Sequence, residues 1–171
     1  MADPVLARLQ NLPKDFKLLG AMNADKVVAL IEGSRLLADL QRPDVKILAT
    51  YVRPCALAIG AKAFVEGERA GFLCLVTEGK LHVLKDGDAG SKKLAEIGPG
   101  YSVGEMSIID GMPNSATVVA AQSTTVLVLT RDDLHRIVEE HPRLAATLVW
   151  KLGQVVSQRL RQTSGKLIDL L

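Results

Sequence analysis

The sequence predicts a mainly β domain, a sandwich or barrel, carrying helices at both ends. Three observations predict it. Apolar residues recur at three and four in residues 1 to about 53. From about 55 to 130 the period shortens, and glycines at 60, 67, 71, 79, 87, 90, 98, 100, 104 and 111 punctuate the chain. From Thr130 onward helical spacing returns. A strand-rich block without alternating helices argues against a doubly wound sheet.

In the first segment, Leu6 and Leu9 form one helical face, and Val27, Val28, Leu30 and Ile31 form another. Asn23 suits the N-cap of the second helix. Pro43 suits the first turn of a third, with Ile47, Leu48 and Tyr51 on one face. Pro54 is expected to end that helix, because the residue before a proline leaves the α region. In the second segment, FLCLVTEGKLHVLKDGDAG reads as two strands joined at Glu78-Gly79, the second alternating Leu81 and Val83 out of step with Lys80 and His82. Asp86-Gly87 and Ala89-Gly90 are turn signals. SATVVAAQSTTVLVLT reads as two more strands. In the third, Thr130 caps RDDLHRIVEE, with Asp132 and Asp133 in the first turn. Pro142 opens a helix reaching toward Leu171.

A seven-residue frame fits that last helix. Ala146, Gly153, Leu160 and Leu167 fall at one core position; Val149, Val156, Thr163 and Leu170 fall at the other. This pattern predicts a homodimer through the C-terminal helix. Such a helix is longer than one small barrel can cover.

Composition excludes several classes. The chain has 171 residues, 48% hydrophobic and 23% charged, which is ordinary globular usage and sufficient for one core. A net charge of +2 does not imply nucleic acid. Cys55 and Cys74 have neither CxxC spacing nor a nearby His, so they read as small buried hydrophobes. The start MADPVLARLQ lacks the order of a secretory signal. Leu144 to Val156 is broken by Lys151, Gly153 and Gln154, so no membrane segment is expected and the location expected is cytoplasmic. His82 reads as a solvent-face residue, and His135 and His141 as helix-end residues. Trp150 reads as a core or seam anchor. Arg143, Lys151, Arg159, Arg161 and Lys166 read as a solvated face. A metal-dependent barrel enzyme needs clustered His, and only His82 lies among the strands; no nucleophile and base are paired either. Catalysis is not expected.

The chemistry concentrates in IGPGYSVGEMSIIDGMPNSATVVAA. Gly104 lets the backbone approach a ligand, and the start of a short helix at Glu105-Met106 offers N–H groups to an anion. Glu105 fits such a site if it accepts a hydrogen bond from a sugar hydroxyl. Ser115 and the Ala116 amide are placed to close over the phosphate.

In the order and spacing of Gly60, Gly67, Gly79, Gly104-Glu105-Met106 and Pro113-Asn114-Ser115-Ala116-Thr117, residues 35 to 171 resemble the cyclic nucleotide-binding domain family. The resemblance implies an eight-stranded jelly-roll β-barrel. It divides the chain into a helical extension, 1–35, and a binding domain, 36–171. It implies a cyclic AMP or cyclic GMP ligand and a signal carried by the C-terminal helix to a protein effector. Arg159-Leu160, Thr163-Ser164 and Lys166 are similar to the ligand-contacting helix of bacterial cyclic-AMP receptor proteins, although the stretch from Pro142 is about one turn longer. There the threonine and serine bond the adenine. Those regulators carry a helix-turn-helix beyond this helix, and only seven residues follow Ser164.

One departure stands out. The family places an arginine where this chain has Asn114. Losing that charge-assisted contact costs about 1.5–3 kcal/mol, roughly 10- to 150-fold in affinity. Three readings stay open. Another cation substitutes, with Arg159 a candidate. The ligand is cyclic GMP or a cyclic dinucleotide. Or the domain is a ligand-blind dimerisation or protein-interaction module, or the sensor half of a transcription regulator.

Overall fold

The computed structural model describes residues 12–20, 22–87 and 90–168. The expected first helix around Leu6 and Leu9 lies outside them, as do the structure at Leu170 and the side chain of Leu167. Among the described residues, nine strands and five helices follow in the order β1 (Lys17–Leu18), α1 (Ala24–Glu32), α2 (Arg42–Ala49), β2 (Arg53–Leu57), β3 (Lys62–Phe64), β4 (Phe72–Glu78), β5 (Leu81–Gly87), β6 (Gly90–Ile97), β7 (Ser102–Val103), α3 (Glu105–Asp110), β8 (Thr117–Ala120), β9 (Thr124–Thr130), α4 (Arg131–Glu140) and α5 (Pro142–Ile168).

The strands form two antiparallel sheets, ordered β1-β2-β9-β4-β7 and β3-β8-β5-β6. The expected mainly β fold with flanking helices is present, but the eight-stranded jelly-roll β-barrel is not closed: among the described residues no ladder joins the two sheets. Side-chain alternation explains the layering. Phe72, Cys74 and Val76 of β4, with Val126 and Val128 of β9, face the second sheet and its Leu81, Val118 and Ala120. Leu73, Leu75, Leu127 and Leu129 face the opposite way, onto the helices. Strands buried on both sides read as unbroken apolar runs, which is why FLCLV and VLVL are so hydrophobic. Among the described residues the second sheet has no helix layer in that core, and β6 is exposed along nearly its whole length.

Local signals set the element ends. Asn23 Oδ1 accepts from the Asp25 N–H at 2.8 Å, and Thr130 Oγ1 accepts from the Asp133 N–H at 3.1 Å. Gly79 turns β4 into β5 at φ +84°, where a Cβ would lie 2.3 Å from the Ser123 carbonyl oxygen. Pro54 does not end α2. That helix stops at Ala49, with Thr50 as its cap, and Pro54 sits inside β2 opposite Leu127. The Thr50 hydroxyl bonds the Ile47 carbonyl and closes the last turn before the proline is reached.

The helices pack on the outer face of the first sheet. Val27, Val28 and Ile31 of α1, Leu48 of α2, Ile137 of α4 and Leu148 and Leu152 of α5 join one cluster with Leu73 and Leu127. α1 is therefore packed on the first sheet. Tyr51 donates to Glu140 Oε2, tying the end of α2 to α4, and Arg136 lies over the same ring at 5.2 Å. The hydrogen bond to Glu140, then burial, pushes the Tyr51 phenol up to about 12, and the same bond lowers the Glu140 carboxyl. Cys55 and Cys74 are buried free thiols; burial pushes Cys55 up to about 11 and holds Cys74 well above the ordinary thiol range.

His82 pairs with Glu96 at 3.2 Å on the face of the second sheet. His141 caps α4, edge-on to Tyr51, whereas His135 is exposed in mid-helix rather than at its end. Trp150 is 72% exposed, so it is no core anchor.

Candidate functional site

The site begins at a backbone position only glycine fits. Gly104 precedes α3 with φ +95°. A Cβ there would meet the Phe72 carbonyl oxygen at 2.5 Å and Phe64 Cζ at 2.7 Å. The bend is therefore pressed against β4, and the six-residue α3 turns away from it.

Glu105 follows as a buried carboxylate, 2% exposed. Both its oxygens are held. Ser102 Oγ donates to Oε1 at 2.5 Å, and Arg159 Nη1 donates to Oε2 at 2.5 Å. Arg159 Nη2 donates to the Ser102 carbonyl oxygen at 2.6 Å. One guanidinium thus grips an acid and a carbonyl together, the arrangement that a rigid planar fork favours. Arg159 belongs to α5, so this ion pair joins the bend to the long helix. Beyond Arg159 every described α5 side chain, residues 160–165, is exposed.

The second half of the cassette closes on the first. Ser115 Oγ lies 4.0 Å from Met106 Sδ; both residues are exposed. Ala116 is half-buried beside Ser115. Asn114 is turned inward to the β3–β4 loop. Its Nδ2 donates to the Val65 carbonyl at 3.0 Å, its N–H to the Glu68 carbonyl at 2.8 Å, and its carbonyl accepts from the Gly67 N–H at 2.9 Å. The amide is a loop fastener. Thr163 Oγ1 donates back to the Arg159 carbonyl at 2.9 Å, and Thr163 and Ser164 are exposed on α5. Gly104, Glu105, Met106, Ser115 and Arg159 are therefore linked in one constellation. Thr163 and Ser164 stand one turn further along α5.

Sequence reasoning missed several residues here. Ser102 gave no signal, being an ordinary serine in a two-residue strand. Lys85 Nζ donates to Glu66 Oε1 at 2.5 Å and to the Ser115 carbonyl at 2.8 Å, and the Glu66 carboxyl is lowered by that bond. Arg69 Nη1 donates to the Gly111 carbonyl at 2.7 Å, at the far end of α3. The Ser107 hydroxyl is buried with no hydrogen-bond partner among the described residues. Among those residues no cluster of His, Cys, Asp and Glu could hold a metal ion. A separate cavity of about 30 Å³ lies between the helices and the first sheet, lined by Leu37, Leu48, Leu73, Leu127 and Leu152 among others. Its wall is apolar and offers nothing to an anion or a sugar.

The family model for the cyclic nucleotide-binding domain matches residues 57–141. These residues belong to the cyclic nucleotide-binding domain family. The Cyclic AMP receptor protein of Thermus thermophilus is 31% identical over 142 residues, 82% of this chain and 63% of that protein. A CRP-like cAMP-activated global transcriptional regulator of Mycobacterium tuberculosis is 27% identical over 128 residues, 74% of this chain and 55% of that protein. The chain thus spans about two-thirds or less of these relatives. A crystal structure of a cyclic nucleotide-binding domain from Methylobacillus flagellatus superposes with a TM-score of 0.80 at 29% identity, covering 92% of this chain and 90% of that one. The cassette from Gly104 to Ala116 lies inside the matched segment of the cyclic nucleotide-binding domain. Arg159, Thr163 and Ser164 lie beyond it. No helix among the described residues is long and apolar enough to cross a membrane.

Proposed function

We propose that this cyclic nucleotide-binding domain is a non-enzymatic receptor for cyclic AMP or cyclic GMP that signals by moving α5. The observation that carries the reading is the Arg159–Glu105 pair. A carboxylate at the bend is bonded to the long helix, so a sugar hydroxyl that competes for Glu105 acts directly on α5. Gly104, Glu105 and Met106 form one wall of the site in this reading, and Asn114, Ser115 and Ala116 the other. Thr163 and Ser164, already exposed, are available to a base. Ligand would shift a pre-existing balance between held and released α5, since only differential affinity for two states can move it.

The same reading includes a cytoplasmic homodimer with a protein effector, and the division into an extension, 1–35, and a binding domain, 36–171. Along α5 the self-packing face is Leu144, Ala145, Leu148 and Leu152. Ala146, Val149, Gly153, Leu160 and Thr163 of the heptad seam are exposed, and Val156 is half-buried. An exposed, largely apolar stripe flanking the packed one supports a second helix lying against it.

Calorimetric titration with cyclic AMP, cyclic GMP and cyclic di-GMP tests the reading. Saturable binding of one of the two mononucleotides per chain is expected. Binding of none at millimolar concentration rejects the receptor and leaves a dimerising module. Binding of cyclic di-GMP alone rejects the ligand class. Trp150, the sole tryptophan, stands on α5 and gives a fluorescence readout of its movement.

A further inference from the structure

We propose that Lys85 supplies the positive charge for the ligand's phosphate, and that Glu66 is its internal competitor. The inference rests on the receptor reading above. A cyclic nucleotide is a phosphodiester anion, and its site needs a cation or strong donors to replace water. Asn114 does not provide one. It is neutral, and its amide is fastened to Val65. Arg159 does not provide one: its fork grips Glu105 and the Ser102 carbonyl, and a ligand that takes Glu105 releases Arg159 together with α5. Arg69 is fastened to Gly111 at the far end of α3.

Lys85 differs in position and in valence. Its ammonium bonds the carbonyl of Ser115, the residue that closes against Met106 at the bend. The charge is therefore delivered to the cassette from β5, a strand distant in sequence. An ammonium has three N–H donors. Ser115 and Glu66 take two, and among the described residues the third has no partner. The side chain is 46% exposed, so a ligand can reach it. Lysine also acts as a point charge on a flexible stem, without the fixed fork of arginine, and can swing to a phosphate while keeping its Ser115 anchor. Glu66 Oε1 accepts from the same ammonium. Its carboxylate would repel an incoming phosphate, so affinity reflects the contest between the two anions.

The test compares binding of cyclic AMP and cyclic GMP by the wild type, Lys85→Met, Lys85→Arg, Glu66→Gln, Arg69→Ala and Lys85→Met with Asn114→Arg. Lys85→Met is expected to weaken binding about 10- to 150-fold and to flatten its salt dependence. Lys85→Arg retains most of the affinity, which separates charge from folding. Asn114→Arg in the Lys85→Met background restores binding, because it returns a cation to the same cassette. Glu66→Gln tightens binding severalfold; weakening there overturns the competitor role. A wild type that binds while Lys85→Met binds equally well overturns the proposal alone. The same holds if Arg69→Ala weakens binding and Lys85→Met does not. A wild type that binds neither nucleotide overturns the receptor reading and this inference together.

Discussion

Replacing Arg159 with alanine isolates the contact on which the proposed coupling depends. The wild-type Glu105 carboxylate is 2% exposed and has two donors, Arg159 and the Ser102 hydroxyl. The variant leaves it one. Removing one partner of a fully buried ion pair costs about 3–5 kcal/mol. The Arg159 side chain is 39% exposed, so water takes over part of its role, and about 1.5–3 kcal/mol remains. Much of that loss should be local. Arg159 is the last half-buried described side chain on α5, so the helix beyond it loses its attachment. Urea denaturation and hydrogen exchange read the two parts. The expected result is a lower midpoint, with exchange at residues 156–165 accelerated roughly 10- to 150-fold. Arg159→Lys should fall between, since it keeps the charge and loses the fork. Unchanged exchange on α5 in Arg159→Ala would refute the idea that this pair holds the helix.

Gly104→Ala should destabilise the domain by about 2–5 kcal/mol, from a positive φ and a Cβ driven into the Phe72 carbonyl; a thermal melt within error of wild type contradicts it. Ser107→Ala should raise stability by about 1 kcal/mol, because it removes a buried hydroxyl without a partner; a lower urea midpoint contradicts it. Tyr51 has a raised phenol, so its contribution is complete below pH 10 and declines as pH rises toward about 12. The stability gap between wild type and Tyr51→Phe should narrow across that window in alkaline urea titrations, and a constant gap contradicts it. Leu160, 67% exposed at the seam, should tolerate glutamate in the fold within about 0.5 kcal/mol while the dimer dissociates in sedimentation. An oligomeric state unchanged by Leu160→Glu removes the seam.

The legible parts of the fold were those whose residues carry one unambiguous preference. β4, β5, β8 and β9 announced themselves through apolar runs and alternation, and Gly79 through the turn it makes. β6 did not, because Lys92, Lys93 and Glu96 place charge on a strand with no core to face. β2 was hidden by Pro54, whose missing N–H argues against a strand and was read as a helix stop. At the site, Gly104 and Glu105 stood out because a glycine and an acid side by side need a reason. The partner of Glu105 did not. Arg159 is 54 residues away, and the α5 pattern alone left it between a phosphate ligand and a solvated face. Asn114 was seen as a lost charge, but the loop that claims its amide is a tertiary fact. Lys85 gave no local signal, since its meaning comes from Ser115, 30 residues on.

Hydrogen exchange of the wild-type chain with and without saturating cyclic AMP or cyclic GMP tests the central claim most directly. The account predicts slower exchange at residues 102–117 and, in the same sample, a changed rate along α5 from about residue 150. Slowing at the cassette with α5 unaltered would contradict coupling through Arg159, and no change at either segment would contradict the receptor itself.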